Sequence, residues 1–166
     1  MTKNTFDQNK IDFVIIGCDK CGTTDLGNIL NRTNKFCLPV HETPIFEDKD
    51  NINEISNFLS KLIIEKKING IKRPSYINYE HVLKKIYMYN KNIKLILIIR
   101  NPVERFISHF LEFIRYDFIE FKNINRNMIK LLNEDKSFIN SYPRSKEILI
   151  SSNYFKNLKK LLKIFP

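Results

Sequence analysis

The stretch FVIIGCDKCGTT, residues 13–24, decides how we expect the chain to fold. Its four opening apolar residues predict a short buried strand. A loop with a glycine at each end follows, and Leu26, Ile29 and Leu30 then recur at helical spacing. In a strand–loop–helix unit, loop N–H groups and the positive end of the helix dipole converge on one point. The stretch therefore predicts a cradle for an anion.

The side chains of this loop favour a phosphate-like ligand. Lys20 adds a full positive charge, and Thr23 and Thr24 add hydroxyl donors. The spacing from Gly17 to Gly22 nearly matches the GxxxxGK[ST] loop of nucleotide triphosphatases, but Thr23 stands where that motif has its lysine. We therefore expect a cradle that is not built for ATP and magnesium. An ordinary strand–helix turn with a chance lysine is the alternative that this loop alone leaves open.

Strands alternate with helices, which predicts an α/β fold in three layers around a central, mostly parallel sheet of about four strands. The predicted strands are residues 11–17, 36–38, 71–74 and 93–99, and the predicted helices are 24–32, 52–67, 79–89, one from Asn101, a short one around Met128, and one from Tyr154 to near Phe165. Residues 120–142 are expected to be less regular, and Asn69-Gly70 predicts a turn. The run 93–99 is apolar except for Lys94, which is typical of a central strand.

The composition is that of a globular protein with polyanionic partners. The chain has 166 residues, 43% of them hydrophobic, and a net charge of +10, so nucleic acid, phosphonucleotides and acidic glycans qualify as partners. A nucleic-acid platform needs aromatic and basic residues interleaved on one face, and no such pattern is visible. We expect residues 1–10 to form a flexible tail and residues 11–166 to form one domain. Without a membrane span or a signal-peptide core, we expect the chain as given to be cytoplasmic.

Charged or titratable residues follow each predicted strand. Because the carboxyl ends of parallel strands meet at one edge of a sheet, these residues are expected to converge on a ligand. They are Lys20 after the first strand, His41 and Glu42 after the second, Lys72 and Arg73 after the third, and Arg100 after the fourth.

A second anion motif begins at Arg100. Asn101 can cap the following helix, Pro102 suits its first position, and Glu104 completes a capping box. An arginine at a helix N-terminus is a good anion ligand, and Ser108 lies two turns further along. The predicted buried face of this helix consists of Val103, Phe106, Ile107, Phe110, Leu111 and Ile114.

Both motifs resemble those of sulfotransferases that use 3′-phosphoadenosine 5′-phosphosulfate (PAPS). The sequence K-x-G-T-T at Lys20 is similar to their 5′-phosphosulfate loop. R-N-P at Arg100, with Ser108 eight residues later, is similar to their 3′-phosphate motif. Two separate motifs in the expected order argue against a chance match.

The likeness is nearest to heparan sulfate glucosaminyl sulfotransferases and covers residues 11–166. The segment HETPIF, residues 41–46, is similar to their N-E-x-H-F-F-like loop. The segment IKRPSY, residues 71–76, matches their E-K-T-P-x-Y segment at Lys, Pro and Tyr, with Ile71 in place of the acidic residue.

The last part of the likeness is residues 154–166, which are similar to the family's Y-x4-L-x-x-W-L-x-x-F-P helix, with Leu161 at the tryptophan position. After this helix the family has a further strand, helices and a glycine-containing basic loop. The sequence in hand lacks these C-terminal parts.

The resemblance implies a sulfotransferase that moves a sulfuryl group from PAPS to a hydroxyl or amine of a carbohydrate-like acceptor, including an acidic one. It implies Glu42 as the base, Lys20 as the stabiliser of the leaving group, and Lys72 as an assistant beside the sulfate. His41 is a rival base, although a role as a gate or a packed loop residue suits it better. PAPS would be held by Lys20, Cys21, Gly22, Thr23 and Thr24 at its 5′ end and by Arg100 and Ser108 at its 3′ end. No metal is expected, because lysines take its place.

Two other functions stay open. One is a non-catalytic module that binds polyanions or nucleotides and is retained from an ancestral enzyme. The other is a kinase-like nucleotide-binding protein, which the missing GK[ST] lysine and the lack of a clear magnesium aspartate disfavour.

The spacing Cys18-x-x-Cys21 also occurs in redox and zinc sites, but the Gly-Thr-Thr that follows fits an anion loop better. The odd number of three cysteines argues against a disulfide framework. His81 and His109 lie on predicted helices and are expected to be surface or packing residues.

Overall fold

The computed structural model describes residues 10–165, and its centre is a parallel sheet of four strands. The strands are β1 (Phe13–Gly17), β2 (Phe36–Cys37), β3 (Ile68–Lys72) and β4 (Lys94–Leu97), in the spatial order β2-β3-β1-β4. Helices connect and flank these strands, so the predicted α/β fold with a parallel sheet is confirmed. The predicted tail lies outside the described residues, apart from Lys10.

Helices account for most of the remaining described chain. They are α1 (Thr23–Arg32), α2 (Ile45–Asp48), α3 (Ile52–Ser60), α4 (Glu80–Tyr89), α5 (Pro102–Arg115), α6 (Ile124–Leu132), α7 (Lys136–Ser141), α8 (Lys146–Ser152) and α9 (Tyr154–Ile164), with 3-10 turns at Pro74–Asn78 and Pro143–Ser145. Residues 120–142, which we expected to be less regular, thus contain two helices that bury Leu131 and Phe138. Within residues 10–165, no helix is both long and apolar enough to cross a membrane.

The strand β3 begins earlier than predicted and includes Asn69 and Gly70, so the turn predicted there is wrong. Gly70 lies opposite Phe13 of β1, and a Cβ at Gly70 would lie 2.2 Å from the Phe13 ring. The glycine therefore makes room for an aromatic ring that lies across the neighbouring strand.

The turn lies just before β3, and it ends α3 at Ser60 rather than at the predicted residue 67. The Asn69 side chain closes this turn. Its Oδ1 accepts from the Ile64 N–H at 2.8 Å, and its Nδ2 donates to the carbonyls of Ile64 and Lys67. These contacts give the backbone an alternative to the helix.

The strand β4 lies at an edge of the described sheet, so the prediction of a central strand at 93–99 is wrong. Both of its faces are nevertheless covered. Leu95 and Leu97 pack against the main core, and Ile96 packs against a smaller core that contains Ile15. An apolar run therefore indicates two covered faces and says nothing about neighbours on both edges.

The buried face of α5 is rotated from the predicted one. Phe106, Phe110 and Ile114 are buried as predicted, but Arg105, His109 and Phe113 are buried with them, whereas Val103, Ile107 and Leu111 are exposed. The difference follows from α8, because Arg105 donates to the Ile148 carbonyl at 2.7 Å and to the Ser152 hydroxyl. These hydrogen bonds offset the cost of burying the charged group.

The described residues form a large core against the sheet and another among the helices. The sheet core includes Val14, Ile16, Ile71, Leu83 and Ile86. The helical core joins α5 to α6, α7 and α8 through Phe106, Phe110, Leu131, Phe138 and Ile148. The loop after β1 meets α5 between these cores, since Lys20 contacts Glu112.

Candidate functional site

The loop after β1, residues 18–22 (the Lys20 loop), has the backbone of an anion-binding turn. Lys20 and Gly22 both adopt left-handed conformations, with φ of 62° and 84°. Gly22 directly precedes α1, and its lack of a side chain permits the sharp turn into the helix. A Cβ at Gly17 would lie 2.7 Å from Ile77 Cγ2, so β1 must also end in a glycine. The loop thus directs the first N–H groups of α1 towards open space.

One cavity of about 390 Å³, the first cavity, brings most of the predicted site residues together. The predicted residues that line it are Lys20, Gly22, Thr23, Thr24, Glu42, Arg100 and Ser108, and the others are Asp19, Asp25, Pro74 and Glu112. The Lys20 loop and the turn at Arg100 therefore face the same space. A ligand with two anionic groups can contact both of them at once.

Lys20 forms an ion pair within the first cavity. Its Nζ donates to Glu112 Oε1 at 2.7 Å, and the two side chains are 29% and 30% exposed. Glu112 lies on α5, one turn after Ser108. An anion that binds to Lys20 must therefore compete with this carboxylate.

Glu42 belongs to a network of carboxylates around Arg73. Arg73 donates to Glu42 Oε2 and to Glu47 Oε2, both at 2.7 Å, and Ser75 donates to Glu47. Burial alone lowers the pKa of Arg73, but the hydrogen bonds to Glu47 and Glu42 raise it overall. The guanidinium therefore stays charged and holds the Glu42 carboxylate at the cavity wall.

The loop that carries Glu42 is anchored by the buried Tyr76, the tyrosine of the 71–76 segment. The Tyr76 hydroxyl donates to the Thr43 carbonyl and accepts from the Phe46 N–H at 3.2 Å. The Thr43 N–H in turn donates to the Lys72 carbonyl at 2.9 Å. Because these contacts lie beside Glu42 in sequence, β3 and the turn after it fix the position of the carboxylate.

Three predicted residues are not in the wall of the first cavity. Lys72 is buried, and its Nζ donates to Thr24 Oγ1 at 3.1 Å, so it supports the wall from behind. His41 is exposed on the loop before Glu42. Cys21 is buried, with its Sγ 3.7 Å from the Tyr154 hydroxyl.

Tyr154 joins the two anion motifs. Its hydroxyl donates to the Arg100 carbonyl at 3.0 Å and also contacts Cys21 in the Lys20 loop. The Arg100 side chain pairs with Glu104 at 2.9 Å, so this carboxylate serves Arg100 instead of the predicted capping box. The predicted cap by Asn101 is present, because its side chain accepts from two N–H groups of the first turn of α5.

A second cavity of about 280 Å³ adjoins the first. The two cavities share Asp19, Glu42 and Glu112. The second one also has an aromatic and charged wall, which includes Tyr79, Phe113, Tyr116, Phe118, Arg73, Arg144 and Glu147. The shared carboxylates can therefore contact a ligand in either cavity.

Buried polar groups of α5 and α8, among them Arg105, His109 and Ser151, lie beside the Lys20 loop. Asp19 accepts from the Ser151 hydroxyl at 3.1 Å, and burial raises the pKa of this carboxyl group. His109 Nδ1 lies 3.1 Å from Arg105 Nη1. Burial, followed by the charges of Arg105 and Lys20, lowers the pKa of His109 to about 3. The imidazole is therefore neutral and accepts a hydrogen bond from the arginine.

The thiols of Cys18 and Cys21 are free and buried. Burial raises the pKa of Cys18 to about 12, which keeps this thiol protonated and unreactive. Among the described residues 10–165, no group of three or more His, Cys, Asp or Glu side chains is placed to hold a metal ion.

Sequence reasoning missed Asp19 and Glu112. Glu112 had a detectable signal, because it follows Ser108 by four residues and shares its helix face. Asp19 had none, since its hydrogen-bond partner Ser151 lies on α8, far along the chain.

The sequence of this chain is similar to those of known sulfotransferases. The family model described as "Sulfotransferase domain" matches residues 10–166. Heparan sulfate glucosamine 3-O-sulfotransferase 5 of Homo sapiens is 29% identical over 156 residues, which are 92% of this chain and 44% of that protein. The Mus musculus protein of the same name shows the same identity and coverage. The chain thus spans less than half the length of these curated relatives.

A solved structure has the same fold. The sulfotransferase from Alicyclobacillus acidocaldarius superposes with a TM-score of 0.72 at 20% identity. The match covers 94% of this chain and 69% of that one. The arrangement of sheet and helices is therefore shared over almost the whole of the present chain.

Proposed function

This chain belongs to the sulfotransferase domain family, and on that premise we propose that it transfers a sulfuryl group from PAPS to a hydroxyl or amine of a carbohydrate-like acceptor. The observation that supports this most is the first cavity, which Lys20, Glu42 and Arg100 line together. PAPS carries a phosphosulfate at one end and a phosphate on its ribose, so it needs two anion sites that face one space. The volume of about 390 Å³ falls within the usual range for small-molecule sites.

The Lys20 loop is the proposed site for the 5′-phosphosulfate. The N–H groups at Gly22 and the start of α1, with the hydroxyls of Thr23 and Thr24, would hold the phosphate. Lys72 contributes indirectly, since it donates to Thr24. Lys20 would leave Glu112 and bind the sulfuryl group and the bridging oxygen. Partly exposed ion pairs contribute only about 0–1 kcal/mol, so a phosphosulfate can displace this carboxylate.

Arg100 and Ser108 are the proposed ligands of the 3′-phosphate. Arg100 is paired with Glu104, and both side chains are exposed. A phosphate offers the guanidinium a bidentate partner of higher charge than a carboxylate. Ser108 lines the same cavity from α5 and adds a hydroxyl donor.

In the proposed reaction, the acceptor reaches Glu42 through the second cavity. Its oxygen or nitrogen attacks the sulfur in line with the bridging oxygen, the bond between sulfur and that oxygen breaks, and Glu42 takes the acceptor proton. Adenosine 3′,5′-bisphosphate (PAP) leaves with the bonding electrons, and Lys20 neutralises its new charge. Arg73 orients Glu42 and leaves one carboxylate edge for the acceptor. His41 is exposed beside this site, and we assign the proton transfer to Glu42.

Calorimetric titration of the full chain with PAP, AMP and ATP tests the donor. PAP is expected to bind at least about tenfold more tightly than AMP, because a charge-assisted contact to the 3′-phosphate is worth roughly 1.5–3 kcal/mol. Tighter binding of ATP than of PAP would contradict the proposal.

Sulfuryl transfer from labelled PAPS tests the reaction. Lys20→Ala is expected to lower kcat by roughly 10²–10³, as removal of one charge-stabilising donor does. Lys35→Ala, on the exposed segment before β2, is the matched control and should leave turnover unchanged. Equal turnover in the wild type and Lys20→Ala would refute the role of Lys20. PAP binding without transfer to any acceptor would identify a binding module instead.

A further inference from the structure

We infer that the second cavity selects a neutral or cationic saccharide as the sulfuryl acceptor and rejects an anionic one. This inference rests on the proposed function, because only an acceptor of the sulfuryl group has to reach Glu42. It goes further by assigning a charge and a shape to the acceptor, which the proposed transfer leaves open.

The position of the second cavity makes it the route to Glu42. The first cavity would be filled by the nucleotide, and the second shares Asp19, Glu42 and Glu112 with it. Its volume of about 280 Å³ is just below the usual range of small-molecule sites, which fits one small ring with its neighbours outside.

The charge of the second cavity is negative. Four carboxyl groups and two guanidinium groups line it, a formal balance of minus two; the residues are Asp19, Glu42, Glu112, Glu147, Arg73 and Arg144. Lys20, outside this wall, pairs with Glu112 at 2.7 Å and offsets one of these charges until it leaves Glu112 for the donor, as proposed above. With the donor bound, the balance of the wall would be minus one even if Asp19 were protonated. His109 also lines the cavity but is neutral.

Both arginines already have carboxylate partners, which an anionic acceptor would have to displace. Arg73 is held between Glu42 and Glu47, each at 2.7 Å. Arg144 donates to Glu147 at 3.2 Å. An anion in this cavity would therefore meet unpaired carboxylate edges, and like charges brought together cost several kcal/mol.

The aromatic wall favours the same class of acceptor. Phe113 and Phe118 lie with ring centroids 5.4 Å apart, and the Arg144 guanidinium lies 3.8 Å from the centre of the Phe118 ring. The face of an aromatic ring is electronegative, so it attracts cations and repels anions. Tyr79 and Tyr116 add further ring surface and hydroxyl groups that suit a sugar.

The inference runs against the net charge of +10, which favours polyanions. Among the residues that the structure describes, no lysine is in the wall of the second cavity, and Lys20 reaches it only through its ion pair with the shared Glu112. The net charge of the chain therefore favours polyanionic partners, whereas the charge of the second cavity disfavours an anionic acceptor.

The test measures transfer from PAPS to three tetrasaccharides of equal length. One is an N-acetylglucosamine oligomer, which is neutral, one is a glucosamine oligomer, which is cationic, and one alternates N-sulfated glucosamine with glucuronic acid, which is anionic. With the wild-type full chain, kcat/KM for the neutral and cationic oligomers is expected to exceed that for the anionic one by at least roughly tenfold. Equal or better transfer to the anionic oligomer would overturn the inference.

A charge change in the wall provides the second measurement. Glu147→Lys is expected to raise kcat/KM for the anionic tetrasaccharide relative to the neutral one by about tenfold, because it moves the local charge by two units. Glu54→Lys on α3, which has the same charge change outside both cavities, is the matched control and should leave the ratio unchanged. An unchanged ratio in Glu147→Lys would contradict the inference.

The outcomes separate the inference from the proposed function. Intact PAP binding without transfer to any of the three tetrasaccharides would refute a saccharide acceptor and leave the nucleotide site standing. Failure to bind PAP would instead refute the proposed function itself.

Discussion

The two adjoining cavities share three carboxyl groups but are assembled in different ways. Much of the first cavity comes from one short stretch, residues 19–25, with Arg100 added from the turn before α5 and Ser108 from the second turn of that helix. The second cavity takes its wall from side chains spread from Asp19 to Ser151. A ligand site made by a loop backbone and a helix end needs few residues, whereas a site made by side chains depends on the whole arrangement of helices. A sequence motif therefore specifies much of the first cavity, whereas only the full arrangement of helices specifies the second.

The largest effect is expected at Glu42, which belongs to both cavities. Glu42→Gln should lower kcat by roughly 10²–10⁴, because the amide cannot take the acceptor proton, while the Kd for PAP stays within about twofold. The matched control is Glu47→Gln, since Glu47 also pairs with Arg73 but lines neither cavity. Steady-state kinetics and PAP titration of both variants provide the check. Similar losses in the two variants would mean that the Arg73 network, and not proton transfer, limits turnover.

A smaller effect, confined to the first cavity, is expected at Arg100. Arg100→Gln should weaken PAP binding by roughly 10–100-fold and leave AMP binding unchanged, because only PAP has the 3′-phosphate. Arg115→Gln, at the exposed far end of α5, removes the same charge and should change neither affinity. Equal weakening of PAP and AMP would show that Arg100 does not recognise the 3′-phosphate.

The wall of the second cavity is expected to make stability depend on pH through His109. Its pKa of about 3 in the folded chain lies below the ordinary value of 6.5, so the unfolded chain takes up the proton first. The contribution of His109 to the free energy of unfolding is therefore present above pH 6.5 and decreases as the pH falls, by about 1 kcal/mol between pH 6.5 and 5.5. Denaturant unfolding of His109→Asn at both pH values should lack this loss. His81→Asn, an exposed histidine, should retain it.

The smallest effect is expected at the boundary between the cavities. Glu112→Gln should tighten PAP binding by roughly two- to fivefold, because it removes the carboxylate that competes for Lys20 in a partly exposed ion pair. Glu147→Gln, which removes a carboxylate from the second cavity alone, should leave PAP affinity unchanged. Titration at low and high salt should show the gain shrinking as salt rises. Weaker PAP binding in Glu112→Gln would reverse the assigned role.

Much of the first cavity could be predicted from sequence because its parts depend on near neighbours. The apolar run of β1, the glycine loop and the Asn101 cap are each encoded within a few residues, and the structure contains all three. The carboxyl-end rule for parallel sheets then brought Lys20, Glu42 and Arg100 to one edge. Lys72 was expected at the same edge but supports Thr24 from behind, because its side chain is buried under α1.

The second cavity could not be predicted, because it depends on how α5 meets α8. That contact is organised by Arg105, which is fully buried although arginine usually stays at the surface. The apolar pattern alone predicts that Val103, Ile107 and Leu111 are buried, but all three are exposed. The predicted buried face is therefore rotated about the helix axis from the observed one. The same reasoning missed Asp19, whose hydrogen-bond partner Ser151 lies on a helix more than a hundred residues away.

The contact of Tyr154 with both anion motifs has a further consequence. The Tyr154 hydroxyl donates to the Arg100 carbonyl and contacts Cys21, so this contact would set the distance between the two proposed phosphate sites before a nucleotide binds. The separation of the two proposed sites is then fixed before a ligand binds. A regioisomer that carries its second phosphate on the 2′ oxygen has the same charge but a different separation between its anionic groups, so we expect it to bind less tightly.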